Sequence, residues 1–272
     1  MQRLYDFRAV TTDDFPALKG MWQEIFGDSE SSVDNFFLKT AEVNKILATF
    51  YGKEPVSVLY LLDSTIRVGG CDYKAYYVYA VCTKAEHRGE GLMKKLLDMA
   101  CEKASRDGVS YLYLVPAEKS LFELYGKCGY KTGFYYKAVE LKKNDFPQGD
   151  YTITQLTYDE FKKYRQGEGY TLATPCEKMF NSFYCPADDD VKVICVAGEG
   201  YGVVEKCDGG YIVHELFGNE NAVISCIFNL LGCDILTVKK PSASGGAPYG
   251  MYKTVGDAPE LTDGFFGIPY GG

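Results

Sequence analysis

The chain has 272 residues, a net charge of −8, and 46% hydrophobic against 24% charged residues. That is the make-up of a soluble globular protein long enough for one large domain or two small ones. The acidic balance argues against broad nucleic-acid binding. No apolar run reaches the length of a membrane span, and Met1 to Arg8 lacks the apolar core of a signal peptide, so a cytoplasmic location is expected. Ten cysteines without a Cys-x-x-Cys pair read as reduced, mostly buried thiols. With only two histidines, His87 and His214, no metal site is expected.

Leu4 to Val10 reads as an opening strand. Thr11 or Thr12 caps a helix whose apolar face carries Phe15, Leu18, Met21, Trp22 and Phe26. After the turn from Gly27 to Ser31, a second amphipathic helix spans Val33 to Ala41. Strands from Lys45 to Tyr51 and Val56 to Leu62 flank the hairpin Gly52-Lys53-Glu54-Pro55. The central strand is Tyr76 to Val81, aromatic and β-branched almost throughout. A turn with two glycines, Arg88-Gly89-Glu90-Gly91, leads into a helix with Leu92, Met93, Leu96, Leu97 and Ala100 on one face. Glycines there let a ligand approach the backbone, and the first-turn N–H groups together with the helix dipole favour an anion. Lys84, His87, Arg88, Lys94 and Lys95 flank the turn, which therefore reads as a pyrophosphate cradle. A strand from Tyr111 to Val115 follows, then a short helix from Ser120 to Tyr125, then Gly126-Lys127-Cys128-Gly129-Tyr130 and a strand from Phe134 to Leu141.

Strand, Arg-Gly-x-Gly, helix, strand, then Leu124-Tyr125 and Gly129-Tyr130 resembles the acyl-CoA core of the GNAT N-acetyltransferase family. The pattern departs from the family at Glu86, where Gln or Arg is usual, and at Glu118, where many members carry a cofactor-touching Asn. The resemblance implies an α/β (α+β) GNAT fold, a mixed central sheet flanked by helices. It implies acetyl-CoA as co-substrate, contacted by Val81, Cys82, Thr83, His87, Arg88, Gly89, Glu90, Gly91 and Leu92. Tyr125 matches the family's general acid, and a phenol with a pKa of ~10 is protonated at neutral pH. The family transfers its acyl group directly, so Cys82 is not expected to carry an acyl intermediate. The general base is not singled out. Asp28, Glu30, Asp34, a water chain and the carboxylate of Gly272 are the alternatives.

Residues 142–150 are polar and rich in breakers, and read as a linker between a catalytic domain at 1–141 and a second domain at 151–272. The second half repeats the order weakly. It has a strand from Tyr151 to Leu156, helices from Tyr158 to Arg165 and Cys176 to Phe183, and strands from Val191 to Ala197, Gly202 to Lys206 and Tyr211 to Leu216. A helix from Ala222 to Leu231 and a strand from Ile235 to Lys239 close it. Its turn, Phe217-Gly218-Asn219-Glu220-Asn221, has one glycine, an acid and no base, so this half reads as a degenerate GNAT-like domain without its own cofactor. A tandem of this kind resembles the Eis-type aminoglycoside acetyltransferases without their sterol-carrier-like domain. In that group the C-terminal carboxylate reaches the active site; here the aromatic tail from Phe265 to Gly272 is expected to dock. The function implied is N-acetylation of a primary amine of a small molecule or peptide in a ternary complex. The alternatives are a non-catalytic acyl-CoA-binding regulator and a Fem-type aminoacyl transferase.

Overall fold

The computed structural model describes residues 3–166, 171–184, 190–243 and 245–267. Helices α1 (Phe15–Phe26) and α2 (Glu30–Lys39) open the fold. Their buried stripes are Leu18, Met21 and Trp22 on one and Val33, Phe36 and Phe37 on the other. The Ser29 hydroxyl accepts the Ser32 N–H and starts α2. Strands β1 (Ile46–Tyr51), β2 (Glu54–Val68) and β3 (Cys71–Thr83) form an antiparallel meander. Helix α3 (Leu92–Arg106) crosses over to β4 (Tyr111–Leu114), parallel to β3. Helix α4 (Lys119–Lys127) and β5 (Lys131–Lys142) complete the first half. The second half runs β6 (Ile153–Thr154), α5 (Tyr158–Arg165), β7 (Leu172–Pro175), α6 (Glu177–Phe183), β8 (Val191–Val196), β9 (Gly200–Cys207), β10 (Gly210–Gly218), α7 (Glu220–Leu231), β11 (Ile235–Pro241) and β12 (Ala247–Thr254).

The meander, crossover helix and parallel strand of β1-β2-β3-α3-β4 recur as β8-β9-β10-α7-β11. The halves exchange strands. All twelve strands among the described residues lie in a single sheet, eleven in the order β1-β2-β3-β4-β12-β5-β11-β10-β9-β8-β6 and β7 off that path against β2. Thus β12, from the end of the chain, sits between β4 and β5 of the first half, and β5 pairs in turn with β11 of the second. Sequence reading placed no element at β12, where Pro248 and Gly250 are poor strand formers. Pairing on both edges holds the strand, with register shifts at those two residues. It also missed β7, and the opening strand expected from Leu4 to Val10 is reduced to two isolated bridges, Asp6 to Phe50 and Ala9 to Leu47. Among the described residues no helix occupies the connection between β11 and β12, where the first half carries α4.

The two faces of the sheet are built differently. On one face, α3 and α4 cover a core around Leu96, Leu97 and Leu112, and α7 covers a separate core around Val204, Val223 and Val238. On the other face a single core runs across both halves, joining Trp22, Phe36, Tyr60 and Tyr77 to Phe161, Phe180, Tyr201 and Phe266. Burial of aromatic area on that shared face binds the halves together.

Candidate active site

Strand β3 carries the geometry that opens the site. Val58 pairs with Cys82 and Tyr60 with Tyr79, so β3 spends one residue more than β2 over the same stretch. This bulge holds Ala80 at a φ of +48°, a costly conformation for a residue with a Cβ. On its other edge β3 pairs with β4 only from Ala75 to Tyr77, ending at Tyr113. Beyond that point the two parallel strands part. A cavity of 460 Å³ opens there, within the size range of small-molecule sites, with Val78 to Val81 on one wall and Leu114, Val115 and Ala117 on the other.

Strand β3 leads straight into the glycine turn. Gly89 and Gly91 have φ of +81° and +74°, and the space around each is open where a Cβ would stand. Gly91 is the N-cap of α3 and offers no capping side chain. The N–H groups of Gly89 to Lys94 have no acceptor within the described residues. A cluster of unfilled donors at a helix N-terminus suits a phosphate. Two of the expected contacts are altered by the turn's own bonding. The N–H groups of His87 and Arg88 already donate to Lys84 and Ala85 carbonyls, at 3.0 and 3.3 Å. The His87 ring is buried, with Nδ1 3.0 Å from the Tyr5 hydroxyl and the ring against Tyr51. Lys84 is paired with Glu54 and Glu24 at 2.5 and 3.1 Å, and Lys94 with Asp98 at 2.9 Å. Arg88 Nε donates to the Thr83 carbonyl. Glu86 and Glu90 are exposed, and Leu92 is buried. Of the strand residues expected at the cofactor, Val81 lines the cavity. Cys82 and Thr83 face β2, where the Thr83 hydroxyl lies 2.8 Å from that of Ser57.

Tyr125 projects from α4 into the cavity and is 5% exposed. Among the described residues no protein group hydrogen-bonds its hydroxyl, which opens to the cavity. Burial first, and the Cys128 and Cys82 thiols second, raise its pKa, which keeps it a proton donor. Burial likewise pushes the Cys82 thiol up to about 12, so almost no thiolate exists at neutral pH. Glu118 is the N-cap of α4 and accepts from the Ser120 hydroxyl.

Among the acids considered as base, Asp28 lies on the cavity wall, where it accepts the Trp22 indole N–H at 2.7 Å. Asp34 is paired with Lys19 at 2.6 Å, and Glu30 is exposed at the start of α2. The Gly272 carboxylate lies outside the described residues. Sequence reading missed the second half's contribution, since Asp190 and Glu205 also line the cavity. Nothing local marks them, because they reach the site only through strand exchange and the shared core.

The corresponding helix terminus of the second half is closed. Asn219 caps α7 by accepting the Ala222 N–H, and its amide donates to Glu199 at 2.9 Å. Gly200 and Gly218 pack back to back before it; a Cβ on either would meet a carbonyl oxygen at 2.1 or 2.2 Å. The tail docks, as expected, as far as it is described. Phe266 lies against Tyr77, Tyr113 and Phe134, and the Gly267 N–H donates to Glu215 at 3.0 Å.

Residues 6–133 match the family model described as Acetyltransferase (GNAT) domain. Among solved structures with the same fold is a GCN5-related N-acetyltransferase from Anabaena variabilis ATCC 29413, with a TM-score of 0.72 at 15% identity over 93% of this chain and 73% of that one. Another, from Kribbella flavida, gives 0.69 at 14% over 93% and 72%. Eis1 from Mycobacterium abscessus gives 0.67 at 13% over 93% and 74%. No curated protein matches the sequence. Residues 6–133 thus match the GNAT acetyltransferase domain model, and the chain as a whole takes the fold of these solved structures, Eis1 among them.

Proposed function

We propose that the protein is an acetyl-CoA-dependent N-acetyltransferase acting on a primary amine, by direct attack within a ternary complex. The observation that carries this reading is the parting of β3 from β4 beside an uncapped helix N-terminus, with the unpartnered Tyr125 hydroxyl in the same cavity. The N–H groups of Gly89 to Lys94 would hold the pyrophosphate, and the free edge of β3 from Val78 to Val81 would pair with the pantetheine amides. A β3 N–H beside the bulge would stabilise the oxyanion. The amine gives one proton to water to become neutral, and its nitrogen then attacks the thioester carbonyl and gives a second proton to water. The C–S bond breaks, and Tyr125 protonates the departing thiolate. The second half binds no cofactor in this reading, because Asn219 already fills its helix terminus. The domain division at residues 142–150 is read in the same way, as a catalytic unit followed by a unit that has lost the cradle.

Titration calorimetry with acetyl-CoA tests the proposal. One site per chain is expected, lost in Gly91→Glu, where the side chain would both fill the cradle and stand at a φ strained by about 1–2 kcal/mol. Thiol release across a panel of amines then separates an enzyme from a cofactor-binding regulator. Absence of acetyl-CoA binding would overturn the reading.

A further inference from the structure

We propose that Glu205, a residue of the second half, receives the cationic nitrogen of the acceptor, and that His214 and Lys239 hold its carboxylate in place for that task. The proposal rests on the acyl-transfer reading and adds to it the acceptor's anchor and chemical class.

Strand β10 pairs Val213 with Val204 and Glu215 with Val203, which leaves His214 as the extra residue of a bulge. The bulge puts His214 and Glu215 side by side on the face of the shared core, where each finds a different partner. Glu215 turns to Arg165, at 2.8 Å, and His214 to Glu205, its Nε2 2.6 Å from Oε2. On the other side of the ring the Lys239 ammonium lies 3.1 Å from Nδ1 and 5.1 Å above the Tyr136 ring. An ammonium group only donates, so Nδ1 accepts and the Nε2–H donates to Glu205. Burial first, and Lys239 second, hold the His214 pKa below its ordinary value, which agrees with this neutral tautomer.

The chain from Lys239 through His214 to Glu205 ends in the cavity rather than in the core. His214 is 6% exposed, whereas the Glu205 side chain is 37% exposed and lines the cavity. Its second oxygen has no partner among the described residues. The Tyr125 hydroxyl opens into the same cavity, which places the anchor and the proposed proton donor around one space. The remaining wall includes Trp22, Phe26, Tyr77 and Tyr79, together with the carboxylates of Asp28 and Asp190 and the Lys206 side chain, so acidic groups outnumber basic ones. A fixed carboxylate facing aromatic walls suits a primary amine, cationic at neutral pH, carried on an apolar or aromatic body. His214 is a positioning residue in this scheme. The charged groups that face it are Glu205 on β9, Lys239 on β11, and Glu215 on its own strand, which is neutralised by Arg165 of α5.

The probe is 2-phenylethylamine, titrated into the full chain with coenzyme A present so that no acetyl group is transferred; 2-phenylethanol is the neutral control. In Glu205→Gln the amine should bind about tenfold more weakly, as expected for a lost charge-assisted hydrogen bond, with the alcohol unaffected. In the unsubstituted protein amine affinity should fall on acidification, as a second proton on His214 neutralises Glu205. His214→Gln should flatten that profile. Unchanged amine affinity in Glu205→Gln, or no amine binding at all, overturns the anchor, and an unaltered pH profile in His214→Gln overturns the positioning role. Coenzyme A affinity, measured on the same samples, reports folding. If it is present while the amine ignores Glu205, only this inference fails; if it is absent, the acyl-CoA reading fails on its own account.

Discussion

Replacing Glu215 by Ala should cost about 3–5 kcal/mol of folding stability, because it strands a charge in the core. The Glu215 side chain is wholly buried and that of Arg165 is 1% exposed. Glu215 accepts from the Arg165 guanidinium at 2.8 Å, the Tyr201 hydroxyl at 2.8 Å, the Tyr184 hydroxyl at 2.6 Å and the Gly267 N–H at 3.0 Å. Arg165 also donates to the Ala173 carbonyl and lies between the Phe161 and Phe217 rings. Four donors converge on one carboxylate, so its removal leaves the guanidinium without a counter-charge and three neutral donors without an acceptor. Hydrogen bonds to a charged group are worth about 1.5–3 kcal/mol each, but they are not additive here, and the isolated buried charge dominates. Against a total stability of roughly 5–15 kcal/mol this is a large fraction. Denaturant unfolding followed by fluorescence of Trp22, the single tryptophan, reads it directly, since Trp22 lies in the same shared core. Adding Arg165→Met to the Ala variant should return a good part of the loss by removing the stranded charge. A loss below about 1 kcal/mol for Glu215→Ala, or no recovery in the double variant, would refute the claim that a buried ion pair organises this core.

Tyr125→Phe should lower kcat by roughly 10²–10⁴-fold while acetyl-CoA affinity and melting temperature stay put, because the hydroxyl makes no structural hydrogen bond. Alkylation of the native protein at neutral pH should mark the exposed Cys71 and Cys207 and spare Cys82, whose thiol is buried and pushed up to about 12; Cys82→Ala should keep turnover, as direct transfer requires. Stability should fall as pH drops below about 6.5, because the unfolded chain protonates His214 while the native state resists until its lower pKa is reached; His214→Gln should remove that slope in acid unfolding curves. Gly267→Ala should destabilise, since its Cβ would stand 2.0 Å from Glu215 Cγ and 2.6 Å from the His214 carbonyl oxygen; an unchanged melting temperature would mean the tail is not docked as described.

Local sequence determined what depends on neighbours along the chain. The apolar stripe behind Leu92, the glycines at 89 and 91, the pairing of Leu124-Tyr125 with Gly129-Tyr130, and the meanders of both halves were all legible, because periodicity and turn chemistry act over a few residues. The turn from Phe217 to Asn221 read as a poor anion site from its residue types, and the Asn219 cap on its helix was not foreseen. What escaped the sequence depends on partners far away in it. Strand β12 looks unpromising alone and exists because β4 and β5 each offer it an edge, and β7 exists because β2 does. The same distance hid Glu205 and His214, ordinary residues of a second-half hairpin until a bulge turns one toward the other and the shared core brings the hairpin to the cavity of the first half. Backbone propensity chose the elements, and long-range edge pairing together with burial of one aromatic face chose which residues meet.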